Sequence, residues 1–232
     1  ASYQYGWRVL GVDEETNEIL LVAEDFVGPD TGGYEENGRT YYYLSGQTGY
    51  ANGIEELNTI SQLYGQGKGA NGARSITVED VNKIVGYEQT DIENWGKGET
   101  QAYGNQVTYS TEGFTYFDEE SKTWKTLASG ESVTLTNDYY QYDGNNSFIY
   151  GKSYWLANKY LISYDEQTIH WGIFGVSGNS MNTGDANDCS MIIGTSSDGR
   201  NRYKGIRPVI SLDADIAILQ QEGASSNPHQ IQ

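Results

Sequence analysis

The side chains best suited to chemistry or recognition lie between residues 158 and 203, where aromatic rings alternate with small polar groups. Tyr mixed with Ser, Gly and Asn is typical of binding loops, because rings supply contact area at low entropic cost and small polar residues adapt. The pattern predicts a ligand-binding surface, although burial of the larger rings in the core is an open alternative. The candidate ligand-binding residues are Tyr160, Tyr164, Glu166, His170, Trp171, Asn179, Met181, Asn182, Asp185, Asn187, Asp188, Arg200, Asn201 and Tyr203.

The chain contains few residues that are candidates for acid–base or nucleophilic catalysis. Of the two histidines, His229 lies in a polar tail and His170 stands alone in a strand-like segment. No G-x-S-x-G nucleophile motif occurs, and the acids near Cys189 disfavour its thiolate. A nucleophile relying on His170, or a carboxylate pair for glycoside hydrolysis, stays an alternative. We expect a protein that is not an enzyme.

Metal and cofactor sites are also weakly supported. One Cys and one usable His are too few for zinc. The run Asp185-Ala186-Asn187-Asp188 resembles part of a calcium loop, but Ser190 and Ser196 stand where Gly and Glu are needed. A G-x-G-x-x-G occurs at 67–72, yet it follows a predicted helix instead of a strand, so we expect a flexible connection there. We expect no cofactor, with structural calcium as the open alternative.

The overall charge narrows the class of partner. The 14 basic and 32 acidic residues give a net charge of −18, which repels phosphate backbones and anionic membrane surfaces. The charge therefore predicts that nucleic acid is not a partner. No segment is typical of a signal peptide or membrane span, so we expect no direct membrane insertion. The single cysteine excludes an intramolecular disulfide, which favours a bacterial or phage protein over a secreted eukaryotic domain.

Apolar periodicity predicts a hairpin and two helices in the first third of the chain. The apolar runs 7–12 and 18–23 flank a polar turn and predict a β-hairpin. Residues 52–65 and 78–85 each carry apolar side chains at helical spacing. Thr77 is a suitable N-cap for the second helix.

The rest of the sequence predicts short strands. Four β-type runs separated by turns indicate a β meander inserted at about 90–147, and further short strands are predicted from 148 to 212. The polar tail 223–232 is expected to be disordered. Together these elements predict a single mixed α+β domain over 1–222.

Several short motifs resemble those of a known family. Trp7-Arg8-Val9-Leu10-Gly11-Val12, Tyr154-Trp155-Leu156-Ala157 and Gly205-Ile206-Arg207-Pro208-Val209-Ile210-Ser211-Leu212 are similar to motifs of C-type-lectin-fold proteins from gut bacteria and their phages. Some members are variable proteins of diversity-generating retroelements. The resemblance implies a C-type lectin fold with two helices, paired N- and C-terminal strands and irregular ligand loops at about 154–212.

The same resemblance implies a diversified surface. In retroelement systems, reverse transcription alters adenines of a template, so that codons such as that of Asn change on the ligand-facing surface. This chain lacks the Glu-Pro-Asn and Gln-Pro-Asp calcium motifs of sugar-binding lectins, so calcium-dependent sugar binding is not implied. With Cys189 as its only cysteine, it also lacks the cysteines of the formylglycine-generating enzymes that share the fold.

These observations predict a non-enzymatic protein that recognises a protein or glycan on a cell surface. We expect it on the bacterial cell surface or on a phage virion, with Trp7, Trp155, Arg207 and Pro208 as the framework that holds the loops. Because some relatives with the same opening motif are pilin-like, the alternative is a structural pilin-like or virion surface component without a small ligand.

Overall fold

The described part of the chain contains three helices and several small antiparallel sheets, which confirms the expected mixed α+β class. The computed structural model describes residues 6–25, 34–36, 39–43, 49–66, 69–118, 120–121, 123–140, 142–143, 146, 148–149, 154–165, 168–177, 180–182, 203–215, 218–219 and 230–231. The helices described are α1 (Gly49–Gln62), α2 (Val78–Val85) and α3 (Gln89–Asn94). The strands are β1 (Trp7–Val12), β2 (Ile19–Ala23), β3 (Tyr34–Glu36), β4 (Arg39–Tyr43), β5 (Ala70–Ser75), β6 (Gln106–Tyr109), β7 (Thr115–Asp118), β8 (Thr123–Thr126), β9 (Val133–Thr136), β10 (Tyr142–Asp143), β11 (Tyr154–Asp165), β12 (Thr168–Ser177), β13 (Ser180–Asn182), β14 (Tyr203–Lys204), β15 (Pro208–Leu212), β16 (Ile218–Leu219) and β17 (Gln230–Ile231).

The first four-stranded sheet joins the two ends of the chain. Its order is β1-β2-β15-β5, so the predicted N-terminal hairpin pairs directly with the late strand β15. Alternate side chains of β2 enter different cores: Leu20 and Val22 pack in the main core, and Leu21 packs with Ile210 and Leu212. Both faces of this sheet are covered, and this explains why the side chains of β2 are all apolar instead of alternating between apolar and polar.

The fourth strand of this sheet corrects the expected flexible connection. Residues 70–75 form β5, which pairs antiparallel with β15 from Pro208↔Ser75 to Leu212↔Ala70. Its sequence, Ala-Asn-Gly-Ala-Arg-Ser, has low β propensity. The tertiary hydrogen bonds offered by β15 therefore determine this strand. Residues 67 and 68 of the glycine motif lie outside the described part of the chain.

The two predicted helices are both present, and one of them has the predicted end points. Helix α2 has the predicted bounds, with a capping box between Thr77 and Asp80 and a left-handed C-cap at Gly86, whose φ is 71°. Helix α1 begins three residues earlier than expected. The short α3 was not predicted; its six residues are too few to show a helical period.

The inserted segment forms one hairpin inside another instead of a simple meander. β6 pairs with β9, and β7 pairs with β8 between them. The four strands lie where the sequence predicted them. Their pairing could not be predicted, because short exposed strands carry little register information. The hydroxyls of Tyr109 and Ser163 are hydrogen-bonded, which ties the insertion to β11.

A second four-stranded sheet, in the order β10-β13-β12-β11, corrects the expectation of irregular loops for residues 154–165, 168–177 and 180–182, whereas residues 183–202 lie outside the described part of the chain. Residues 154–165 and 168–177 are long strands that pair antiparallel, with shifts in register between Trp155 and Lys159 and between Ser163 and Asp165. These residues are rich in β-branched and aromatic types, which favour strands. Phe148 and Ile149, expected in a strand, lie in a turn.

Two residues of the tail also differ from the expected disorder. Gln230 and Ile231 form β17, which pairs with β16. The other tail residues, 223–229 and 232, lie outside the described part of the chain.

The main core lies between α2, α3 and strands from both large sheets. Val209 of β15, Val81 of α2, Leu156 of β11 and Phe174 of β12 are at most 2 % exposed in this cluster. Tyr140 from the inserted segment belongs to the same cluster. The insertion therefore contributes to the core and is more than surface decoration.

Candidate functional site

The structure gathers part of the predicted surface in one sheet. Six candidate residues lie in adjacent strands: Tyr160 and Tyr164 in β11, His170 and Trp171 in β12, and Met181 and Asn182 in β13. Tyr203 lies in β14, which pairs with β4 in a different sheet. The remaining candidates lie outside the described residues: Glu166, Asn179, Asp185, Asn187, Asp188, Arg200 and Asn201.

Arg207, one of the four predicted framework residues, makes several contacts next to this sheet. Its guanidinium is fully buried and donates from Nε to the Ala23 carbonyl at 2.7 Å and from Nη1 to the Phe148 carbonyl at 2.9 Å. It also lies 4.1 Å from the centroid of the Phe148 ring and 5.2 Å from that of Tyr154. Arg207 thus connects β2, the start of β11 and the approach to β15.

Trp155 and Tyr154 fix the start of β11 against the same framework. Trp155 is 3 % exposed and packs with Leu57 of α1, and its backbone N–H donates to the Gly205 carbonyl at 2.9 Å. Burial raises the pKa of the Tyr154 phenol to about 12, against the opposing effect of the Arg207 guanidinium. Tyr154 therefore stays neutral across the physiological range and serves as a structural donor.

A polar cleft that the sequence did not reveal lies beside this framework. It encloses about 240 Å³ between α2, α3, the inserted segment and the strands β11 and β12. Polar groups at its wall include Glu79, Asn82, Asp138, Asn158 and Lys159. None of the fourteen predicted residues is among the described residues that line it. The apolar part of its lining comes from Val78, Ile92, Tyr103, Tyr140 and Phe174.

One wall of the cleft is held by hydrogen bonds between Asn158 of β11 and the first turn of α2. The Val78 backbone N–H donates to Asn158 Oδ1 at 2.7 Å, and Asn158 Nδ2 donates to the two carboxylate oxygens of Glu79 at 3.1 and 3.0 Å. An amide oxygen at a helix N-terminus satisfies a backbone donor that has no partner within the helix. Asn158 therefore fixes α2 against β11.

The lining of the cleft also contains the partly buried carboxyl group of Asp138, whose side chain is 22 % exposed. Its Oδ1 atom is buried and has no hydrogen-bond partner, and Lys159 Nζ lies 3.6 Å from Oδ2. Burial raises the pKa of the Asp138 carboxyl to about 7, although the Lys159 ammonium opposes that rise. A carboxyl with a pKa near neutrality inside a cleft is a frequent property of functional sites.

Aromatic side chains form the floor. The Tyr140 hydroxyl is hydrogen-bonded to Asn82 Nδ2 at 3.0 Å, and its ring lies 5.7 Å from that of Phe174 and 6.1 Å from that of Tyr103. Burial raises the pKa of the Tyr140 phenol, against the opposing hydrogen bond from Asn82. Tyr140 is therefore a neutral, positioned ring.

The sequence carried only a faint signal for this cleft. Asp138 follows the predicted strand that ends at 136 and precedes the pair Tyr139-Tyr140, so an acid beside two large rings was visible. Its burial depends on α3 and on the long strand β11, neither of which the sequence predicted in full. A search for acids next to aromatic pairs would have found it.

Within the described ranges, no group of three or more His, Cys, Asp or Glu side chains could hold a metal ion. The calcium candidate at 185–188 lies outside those ranges, so structural calcium there stays a prediction. None of the described helices is both long and apolar enough to cross a membrane.

The sequence and the structure were compared with known proteins without a match. No protein-family model matches the sequence, and neither the curated proteins nor the solved structures contain a significant match.

Proposed function

We propose that the protein is a non-enzymatic recognition protein that displays residues 154–212 from a C-type-lectin-like scaffold. One observation carries the proposal: six of the fourteen candidate residues lie in adjacent strands of the sheet β10-β13-β12-β11. Strands hold backbone spacing firmly, and a preorganised surface loses less entropy when it binds. The partner is a protein or glycan on a cell surface.

The pairing of the chain ends supports the scaffold part of the proposal. β15 pairs with β2 of the N-terminal hairpin, and the family resemblance implies such a pairing of N- and C-terminal strands. The buried Arg207 and Trp155, both in the motifs that carry the resemblance, tie this sheet to β11. The same segment therefore combines buried framework residues, such as Trp155 and Phe174, with the candidate binding residues.

The proposal includes diversification by a retroelement and a location on the bacterial cell surface or a phage virion. DNA next to the gene tests the diversification. We expect a near-copy of the segment that encodes residues 155–208 beside a reverse transcriptase gene, with mismatches confined to adenines of that copy. The mismatches should fall in codons of candidate residues such as Asn182 and Asn201 and spare those of Trp155, Arg207 and Pro208. Flanking DNA without such a copy would contradict diversification.

A second candidate function, a pilin-like or virion structural component, is favoured by one edge of the first sheet. β1 is the edge strand, and its Val9 and Val12 side chains are 65 % and 51 % exposed. An exposed edge with apolar side chains can pair with another chain.

A further inference from the structure

We propose that the cleft bounded by α2, Asp138 and β11 binds an organic cation, a primary ammonium or guanidinium group on a small apolar body. This site has none of the fourteen candidates among its described lining residues, although Asn158, Lys159 and Phe174 lie within the segment 154–212. It goes beyond the proposed function and does not depend on it.

Some hydrogen-bond acceptors of the cleft can accept further hydrogen bonds. Asp138 Oδ1 is buried and receives no hydrogen bond, although the Leu161 backbone and Lys159, whose Nζ lies 3.6 Å from Oδ2, also stabilise the carboxylate. The exposed Glu79 carboxylate receives bonds from Asn158 Nδ2, which leaves further lone pairs on its two oxygens. A buried carboxylate oxygen without a donor is costly, so a ligand that supplies a donor to Oδ1 is favoured.

The side-chain amides that line the cleft already form hydrogen bonds within the protein. Asn158 accepts from Val78 N–H and donates to Glu79, and Asn82 is bonded to the Tyr140 hydroxyl. Gln89 donates to Glu93 at 3.4 Å. A ligand that needs donors from the wall would therefore disrupt existing bonds, whereas a ligand that brings donors would complete the bonding of Asp138.

The shape and floor of the cleft fit a small apolar body next to the charge. Its volume of about 240 Å³ is below the range of roughly 300–1,000 Å³ typical of sites for drug-sized ligands. Tyr140, Phe174 and Ile92 supply ring and aliphatic surface, and a cation near a ring face gains electrostatic attraction. The net charge of −18 also concentrates cations around the protein.

The charged groups of the cleft determine how binding depends on pH. They are Glu79 from α2, Lys159 from β11 and Asp138 from the inserted segment; α3 contributes the neutral Gln89, and β12 contributes Phe174. The pKa of Asp138 is raised to about 7 by burial. A cation prefers the ionised carboxyl, so protons compete with it below that pKa, and binding is strongest above it.

The test uses the whole chain and butylguanidinium as the probe, with n-butanol as its neutral counterpart and butyrate as its anionic counterpart. Isothermal titration calorimetry should show saturable binding of butylguanidinium alone. Affinity should fall about tenfold between about pH 8 and about pH 6, as expected for a carboxyl that titrates near 7. Binding of butyrate or butanol as tight as that of butylguanidinium would overturn the proposal, as would a failure of butylguanidinium to bind.

Variants assign the effect to the cleft. Asp138→Asn should weaken butylguanidinium binding at least tenfold at the higher pH and remove its pH dependence. Glu79→Gln should weaken it severalfold, and this exposed position keeps the proposal testable if Asp138→Asn does not fold. Glu112→Gln is the matched control, because it removes one exposed carboxylate outside the cleft and should change nothing. Unchanged binding by both cleft variants would overturn the proposal.

Discussion

At the scale of single residues, Arg207 connects parts of the chain that are distant in sequence. Its three nitrogens donate to the carbonyls of Ala23, Glu24 and Phe148, with Nη2 to Glu24 at 3.3 Å. Tyr154 and Phe148 cover its plane with their rings. The planar guanidinium suits this role because it spreads several donors in a fixed geometry while stacking on rings.

Replacing Arg207 should therefore cost much of the stability. Arg207→Met leaves three backbone carbonyls without their donor, and each buried acceptor without a partner costs about 1–3 kcal/mol, so we expect a loss of about 3 kcal/mol or more. Urea unfolding measures it. Arg8→Met is the matched control: the Arg8 side chain is 52 % exposed, and its ion pair with Glu24 is partly solvated, so the loss should stay below about 1 kcal/mol. Equal losses in the two variants would contradict the role of Arg207.

At the scale of elements, the sequence predicted those whose stability is local. The N-terminal hairpin and α2 follow from apolar spacing, and α2 also from the Thr77 capping box. Neither β5 nor the full length of β11 could be predicted from the sequence. β5 has few strand-forming residues and depends on hydrogen bonds from β15, and the polar residues Asn158 and Lys159 interrupt the apolar pattern of β11.

The edge strand β1 decides between the two candidate functions. For a recognition protein, we expect one monomeric species in sedimentation velocity, with no change in Val9→Lys, because a lysine on an exposed edge opposes pairing without entering the core. Thr16→Lys, in the exposed hairpin turn, adds the same charge away from the edge strand. Self-association that is lost in Val9→Lys and retained in Thr16→Lys would contradict the recognition hypothesis and favour a structural component.

At the scale of the whole molecule, the two large sheets and the inserted segment share one core. Val209, Phe174 and Tyr140 come from these three parts and pack in the same cluster. The cleft at their boundary could not be predicted from the sequence, because it depends on long-range packing of segments whose pairing is not encoded locally. The recognition surface was predicted from composition, and six of its seven described residues lie in adjacent strands.

The most direct test of the recognition hypothesis is binding by a variant altered only at the displayed surface. Fluorescently labelled protein is applied to arrayed bacterial surface glycans and to intact bacterial cells, together with a variant that carries Tyr164→Ala, Asn182→Ala and Tyr203→Ala. We expect the variant to lose at least about 100-fold in affinity for whatever the parent binds, since a few aromatic residues usually carry most binding energy.

The melting temperature of the variant should stay within about 4 °C of the parent's, as for changes outside the core. A control with Gln106→Ala and Glu112→Ala, both at exposed positions of the inserted segment, should bind like the parent. Undiminished binding by the triple variant would contradict recognition through this surface, and a large fall in its melting temperature would show that these side chains belong to the core.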